Sequence, residues 1–184
     1  MRIEDTALAG LRIITPTRLE DPRGFFSEVY NRRALSEAGL NVEFVQDNHS
    51  LSLAAGTIRG LHFQTEPFAQ AKLVRVTKGR VLDVAVDLRA SSPTFGQHVA
   101  VELSAENWRQ LFVPAGFAHG FCTIESGSEV LYKVTAHYSR DHDFGLAWDD
   151  PALAIAWPVA PEAALLSDKD RRHPRLSQLP SVFP

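Results

Sequence analysis

Short apolar runs recur along the chain, broken by Gly, Pro, Asp and Asn, with no internal repeat and no low-complexity linker. That spacing predicts an all-β sandwich or barrel. The clearest run is Val81 to Leu88. Leu82, Val84, Val86 and Leu88 fall on one face and Asp83 and Asp87 on the other, the period-two alternation of a strand. Lys72–Val76 reads as the strand before it, with Lys78-Gly79 as the turn between them. Thr57–Gln64 reads as another, and Gly60 inside it points to a bulge or a close backbone approach. Further strands are expected at Leu11–Thr15, Phe25–Tyr30, Phe44–Ser52, Val99–Leu103, Phe117–Ile124 and Val130–Tyr138. Asp21-Pro22-Arg23-Gly24 has Pro and Gly where a turn wants them. Helical signals are few: Arg32–Ala38 closed by Gly39, and a segment that starts at Ser167 as N-cap and stops before Pro174. Pro is frequent after about residue 150, which predicts a tail of turns and short helix over the sheets. The pattern is one β-rich domain over residues 1–184, with small helical additions.

Composition narrows this reading. A chain of 184 residues that is 45% apolar can bury a real core, about 70% of its unfolded surface. No run of about 18 apolar residues occurs, so no membrane span is expected. Met1-Arg2-Ile3-Glu4-Asp5 does not read as a signal peptide. A net charge of −3 argues against a nucleic-acid binder. The single cysteine, Cys122, cannot form an internal disulfide, which fits a cytoplasmic protein. Its apolar setting, Gly120-Phe121-Cys122-Thr123-Ile124, marks it as a core thiol rather than a nucleophile.

Alternation also sorts the polar residues. Gln46, Asn48, Ser50 and Ser52 share a face of one expected strand, as do Val130, Tyr132, Val134, Ala136 and Tyr138 of another. Such a face is either simply solvated or lines a pocket inside a β-barrel. His62 sits mid-strand between Leu61 and Phe63; it is either a hydrogen-bonded structural residue or a general base that works near neutral pH. His119 lies in Pro114-Ala115-Gly116-Phe117-Ala118-His119-Gly120-Phe121, whose Pro-x-Gly-x-x-His spacing resembles the second motif of the cupin superfamily. A metal cupin would carry His-x-His in its first motif, whereas here Phe63 and Gln64 follow His62. Two histidines are a poor metal set, so no metal is expected.

The combination of motifs is more specific than any one. Asp21-Pro22-Arg23-Gly24-Phe25-Phe26-Ser27-Glu28, Gln46-Asp47-Asn48-His49-Ser50 and Arg59-Gly60-Leu61-His62-Phe63-Gln64 come in that order. Gln70-Ala71-Lys72-Leu73-Val74, the His119 motif, Tyr132-Lys133-Val134-Thr135, Trp157-Pro158 and Leu166-Ser167-Asp168-Lys169-Asp170 follow. Over roughly residues 3–176 the chain resembles the dTDP-4-dehydrorhamnose 3,5-epimerase family. The resemblance implies a cupin-type jelly roll (a double-stranded β-helix) with its core at about 20–140, a homodimer, and no cofactor. It implies that His62 is the base, oriented by Asp170, that Tyr132 is the acid, and that Lys72 lies near the sugar ketone. Arg59 and His119 match positions facing sugar and diphosphate, and Lys169 a diphosphate contact. Arg23, Phe26, Glu28, Gln46 and Asn48 match nucleotide-binding positions, some of which serve the neighbouring subunit. Ile58 and Asp149 depart mildly from the family pattern.

The residue types suit the implied reaction, inversion at carbons 3 and 5 of dTDP-4-keto-6-deoxyglucose to give dTDP-4-keto-rhamnose. A hydrogen next to a ketone is acidic because the carbanion spreads onto oxygen. Inversion needs a base, an acid on the other face, and a positive charge for the enolate oxygen. His62, Tyr132 and Lys72 supply them, and no hydride moves, so the lack of a dinucleotide-binding glycine motif is consistent. Three alternatives stay open: an epimerase of carbon 3 alone, a metal-dependent cupin, and a non-catalytic sugar-binding jelly roll.

Overall fold

A computed structural model describes residues 1–184. Its strands are β1 (Arg2–Asp5), β2 (Arg12–Thr15), β3 (Leu19–Asp21), β4 (Gly24–Phe26), β5 (Gln46–Ser52), β6 (Ile58–Gln64) and β7 (Lys72–Lys78). They continue with β8 (Arg80–Asp87), β9 (His98–Ser104), β10 (Gln110–Val113), β11 (Phe117–Thr123), β12 (Ser128–Val134) and β13 (Asp143–Gly145). One α-helix, α1 (Arg32–Glu37), and four short 3₁₀ turns complete it. No helix is long and apolar enough to cross a membrane.

Two antiparallel sheets face each other, in the orders β1-β2-β10-β7-β12-β5 and β13-β6-β11-β8-β9. From β5 to β8 and again from β9 to β12 successive strands alternate between the sheets, with β8 and β9 paired in one of them, the winding of a jelly roll. One edge of each sheet is extended, by β2 and β1 beyond β10 in the first and by β13 beyond β6 in the second, and β3-β4 form a separate hairpin. Val74, Val76, Val81, Ala85, Val101, Leu103, Leu111, Phe117, Phe121 and Val130 fill the space between the sheets. Leu61, Phe63, Val84, Val86 and Ala118 point outward and are covered by the C-terminal tail through Leu146, Leu153 and Phe183. Leu73 and Phe112 point outward from the other sheet and are covered by Leu35 and Leu40, from α1 and the chain just after it. Both faces of each sheet are therefore buried over much of their area, and Asp83 and Asp87 of β8 lie on the inner side with no exposure.

The expected strands form, with three differences that matter. The strand from Val130 stops at Val134 rather than Tyr138, because side-chain amides take over from the ladder: Gln70 donates to Ala136 O at 2.7 Å and Gln64 to His137 O at 3.1 Å. Tyr138 thus sits on a loop held by Gln64, which also accepts from Ser139 N at 2.8 Å. The strand from Phe25 ends at Phe26, and Asn31 then caps α1 by accepting from Ala34 N. The segment from Ser167 makes only a 3₁₀ turn, Asp170–Arg172, since Pro174 leaves no room for an α-helix; Ser167 Oγ still accepts from Asp170 N at 3.1 Å.

Gly60 explains why β6 and β11 meet as they do. Its φ is +130°, and a Cβ there would lie 2.6 Å from Gly120 Cα. The register slips by one residue between His119 and Phe121, so Gly60 is both the bulge and the close approach that the sequence suggests. The crossing sets His62 opposite His119 across the two strands.

Candidate active site

Inner-facing polar residues gather at one end of the roll, where the apolar filling stops. They line a cavity of about 220 Å³ that includes Gln46, Asn48, His62, Gln64, Lys72 and Tyr132. Tyr138, Asp143 and Lys169 complete its rim. The polar face of β5 is thus turned toward a pocket, the second of the two readings that alternation left open. His62 comes from one sheet, Tyr132 and Lys72 from the other.

His62 Nε2 is 2.5 Å from Asp170 Oδ1, and the ring is about a third exposed while Asp170 is 5% exposed. With Nε2 on Asp170, Nδ1 is left for other chemistry. Asp170 reaches this place because the tail is fastened to the sheet: Leu146 N donates to Leu61 O at 2.9 Å and Ala147 N to Pro174 O at 2.8 Å. Burial holds His62 below the ordinary imidazole range, partly offset by its bond to Asp170. Burial would raise Asp170, yet neighbouring His173 and His62 hold its carboxyl far below the usual range. The pair therefore rests as neutral imidazole beside carboxylate, the state that a base needs.

Lys72 is brought down to about 8 by burial, against the opposing pull of Asp83 and Asp143. Its Nζ donates to His62 O at 3.3 Å. Burial also raises the Tyr132 phenol, with Arg59 acting in the other direction, so Tyr132 keeps its proton at neutral pH. Cys122, pushed up to about 11 by burial, is an inert thiol.

The structure does not gather every residue singled out by sequence. Gln46, Asn48 and Lys169 line the cavity. Arg59 is not among the lining residues; it donates to Ser52 Oγ at 3.0 Å and Leu51 O at 3.0 Å. His119 is buried on Asp83 at 2.8 Å and is not part of the lining. Arg23, Phe26 and Glu28 lie on or just after the β3-β4 hairpin, exposed and away from this cavity; Phe26 is 70% exposed. Asp143, which sequence reasoning missed, bridges Lys169 Nζ at 2.5 Å and Tyr138 OH at 3.0 Å. A three-residue strand gives no periodicity that could have flagged it.

Nitrogen and oxygen atoms of His62, Asp170 and His173 lie within 4.8 Å of one another. Zinc bound at about 2.0–2.2 Å by tetrahedral ligands would set those atoms roughly 3 Å or more apart. The 2.5 Å contact of His62 with Asp170 is a hydrogen bond, closer than two ligands of one zinc ion would sit. A larger cavity, about 550 Å³, opens between Arg18, Phe25, Arg75, Trp108 and Arg109. It carries no acid–base pair.

Comparison with known proteins bears on this geometry. The sequence model described as dTDP-4-dehydrorhamnose 3,5-epimerase matches residues 5–178. The chain belongs to that family. It is 51% identical to the dTDP-4-dehydrorhamnose 3,5-epimerase of Sinorhizobium fredii, over all of this chain and 93% of that one. Its fold matches the crystal structure of dTDP-6-deoxy-D-glucose-3,5-epimerase from Legionella pneumophila in complex with dTDP-4-keto-L-rhamnose. That likeness has a TM-score of 0.94 and 43% identity, over 100% of this chain and 97% of that one. It also matches the 3'-monoepimerase ChmJ of Streptomyces bikiniensis in complex with dTDP-quinovose, at TM-score 0.87 and 31% identity, over 94% and 86%. The fold is thus the cupin-type jelly roll of this epimerase family, and the chain is an isomerase.

Proposed function

We propose that the chain inverts carbons 3 and 5 of dTDP-4-keto-6-deoxyglucose, giving dTDP-4-keto-rhamnose by acid–base chemistry without a cofactor. The observation that carries this is the convergence of His62 from one sheet with Tyr132 and Lys72 from the other on one cavity. A sugar lying between the sheets has a base on one side and a proton donor on the other. His62 Nδ1 takes the proton from carbon. Asp170 stabilises the imidazolium that forms. Lys72 faces the enolate oxygen, a contribution worth a few kcal/mol when preorganised. Tyr132 returns a proton to the opposite face. This reading gives Arg59 and Lys169 to the diphosphate and Gln46 and Asn48 to the nucleoside side; all of them but Arg59 line the cavity.

The same reading assigns Arg23, Phe26 and Glu28 to a second copy's cavity. The β3-β4 hairpin pairs only with itself and leaves Leu19, Phe25 and Phe26 exposed. Apolar side chains grouped on one projecting hairpin suit a protein interface. A homodimer with exchanged hairpins covers them and completes the nucleotide site. The single-carbon reading is less favoured: the 3'-monoepimerase shares 31% of residues, whereas the 3,5-epimerases above share 43% and 51%.

Incubation with dTDP-4-keto-6-deoxyglucose in deuterated water, read by NMR, tests this. Deuterium at both carbon 3 and carbon 5 is the expected result. Label at carbon 3 alone would make the chain a 3-epimerase, and no label would remove it from this chemistry.

A further inference from the structure

His173 stands next to the proposed base, and neither the motifs nor the proposed reaction accounts for it. Its ring is 8% exposed, and Nε2 is a buried nitrogen with no formed hydrogen bond. That nitrogen lies 3.4 Å from Asp170 Oδ1, the same oxygen that holds His62 at 2.5 Å. The two imidazoles meet edge to face, with ring centres 5.4 Å apart. Gly145 makes the space. A Cβ on Gly145 would fall 2.3 Å from His173 Cε1 and Nε2. Gly145 has no left-handed backbone that would require glycine, and it is paired with His62 across β13 and β6. The missing side chain is what lets a second imidazole reach the carboxylate.

We infer that His173 is a positioning residue for the base: it shares the Asp170 oxygen with His62 and so limits how strongly that carboxylate pulls on the catalytic ring. This rests on the reading of His62 as base. An N–H of His173 directed at Oδ1 competes with His62 for the same lone-pair density. The present 3.4 Å is long for a hydrogen bond, as such contacts often are before substrate is bound. A carboxylate that binds two donors is a weaker acceptor for each, and a less strongly held imidazole gives up its proton more easily.

The other charged groups around His62 are Lys72 on β7, Lys169 in the tail and, across Lys169, Asp143 on β13. Facing Asp170 are His62, His173 and Ser167. Removing His173 leaves Asp170 Oδ1 to His62, and that bond raises the ring's proton affinity. The sign follows. The acid limb of kcat/KM, which reports the free base, moves to higher pH.

The test is the pH profile of deuterium exchange with dTDP-4-keto-6-deoxyglucose for the full chain and three variants. His173→Leu fills the space without a donor. Gly145→Ala pushes the native ring away from Asp170. Both should move the acid limb up, by about half to one pH unit. His173→Gln, whose amide can reach the same oxygen, should return the limb most of the way. Gly145→Ala keeps the proposal testable should His173→Leu fold poorly. Limbs that coincide in wild type, His173→Leu and Gly145→Ala would overturn the inference, as would equal shifts in the Leu and Gln variants, which would make His173 a space-filling side chain. A wild-type protein with no exchange at any pH would instead sink the reading of His62 as base.

Discussion

Two histidine–aspartate pairs lie side by side in this roll, and they differ in what surrounds them rather than in what they are. His62 and His119 are partners across β6 and β11, both on inner faces. His62 meets Asp170 of the tail at 2.5 Å, and its ring opens onto the polar cavity. His119 meets Asp83 of β8 at 2.8 Å, with the histidine 7% exposed and the aspartate not at all. A base must touch the proton it removes, so only the first pair can serve as one. The second pair works from behind. Asp83 is the foremost of the charges that resist the effect of burial on Lys72, and so helps to keep that lysine cationic. A histidine–aspartate contact is therefore no signature of catalysis by itself; access to the cavity decides.

Paired substitutions break this comparison most sharply. His62→Asn should cut solvent exchange into substrate by about 10²–10⁴-fold at both carbons, with a folded protein that still binds dTDP. His119→Asn leaves the buried Asp83 short of its partner. Its main cost should be stability, about 3 kcal/mol, or roughly 10 °C in melting temperature. Thermal unfolding and NMR exchange on both variants read the contrast. A His119→Asn protein of normal stability whose exchange is lost, beside a His62→Asn protein that exchanges freely, would reverse the roles assigned to the two pairs.

Tyr132→Phe separates the two halves of the reaction with a smaller effect. His62 can still remove a proton and put it back on the same face, so exchange should persist. Inversion, which needs a donor from the facing sheet, should fall by about 10²-fold or more. Normal inversion in Tyr132→Phe would transfer the donor's role to Tyr138. That residue lines the same cavity, though its hydroxyl donates to Asp143.

What the sequence could show follows from how local each feature is. Val81–Leu88 alternates over its whole length, so β8 is legible from its own residues. Gly60 is legible because only a missing Cβ fits the crossing with Gly120. β1, β10 and β13 have three or four residues each, too few for a period, and they exist through their partners in the sheets. The contact of His62 with Asp170 spans 108 residues of chain. No pattern within a strand predicts it; it was reachable only through the order of motifs shared with a family. His173 belongs to none of those motifs, and its place beside Asp170 emerges only when the tail folds over Gly145.

Lys72 links the two pairs, bonded to His62 O and facing the charge of Asp83, and its titration gives the most diagnostic effect. The ordinary lysine value is 10.5, and in the folded chain burial brings it to about 8. If the ammonium faces the enolate oxygen, kcat should fall as pH rises through about 8, where the charge is lost. The stability contribution runs the other way. Between about 8 and 10.5 the unfolded chain holds this proton and the folded one does not, so stability gains from this residue as pH rises. Below that window the buried charge costs on the order of 3 kcal/mol. Lys72→Met should therefore be slower but more stable at neutral pH, and it should lose both pH dependences together. Urea denaturation of both proteins at about pH 7 and about pH 10, with exchange rates over the same range, measures this. A variant that keeps the wild-type alkaline fall in kcat would assign that limb to another group. One that is destabilised at neutral pH would show that Asp83 already compensates the buried charge in full, and the second pair would then matter more to Lys72 than its burial does.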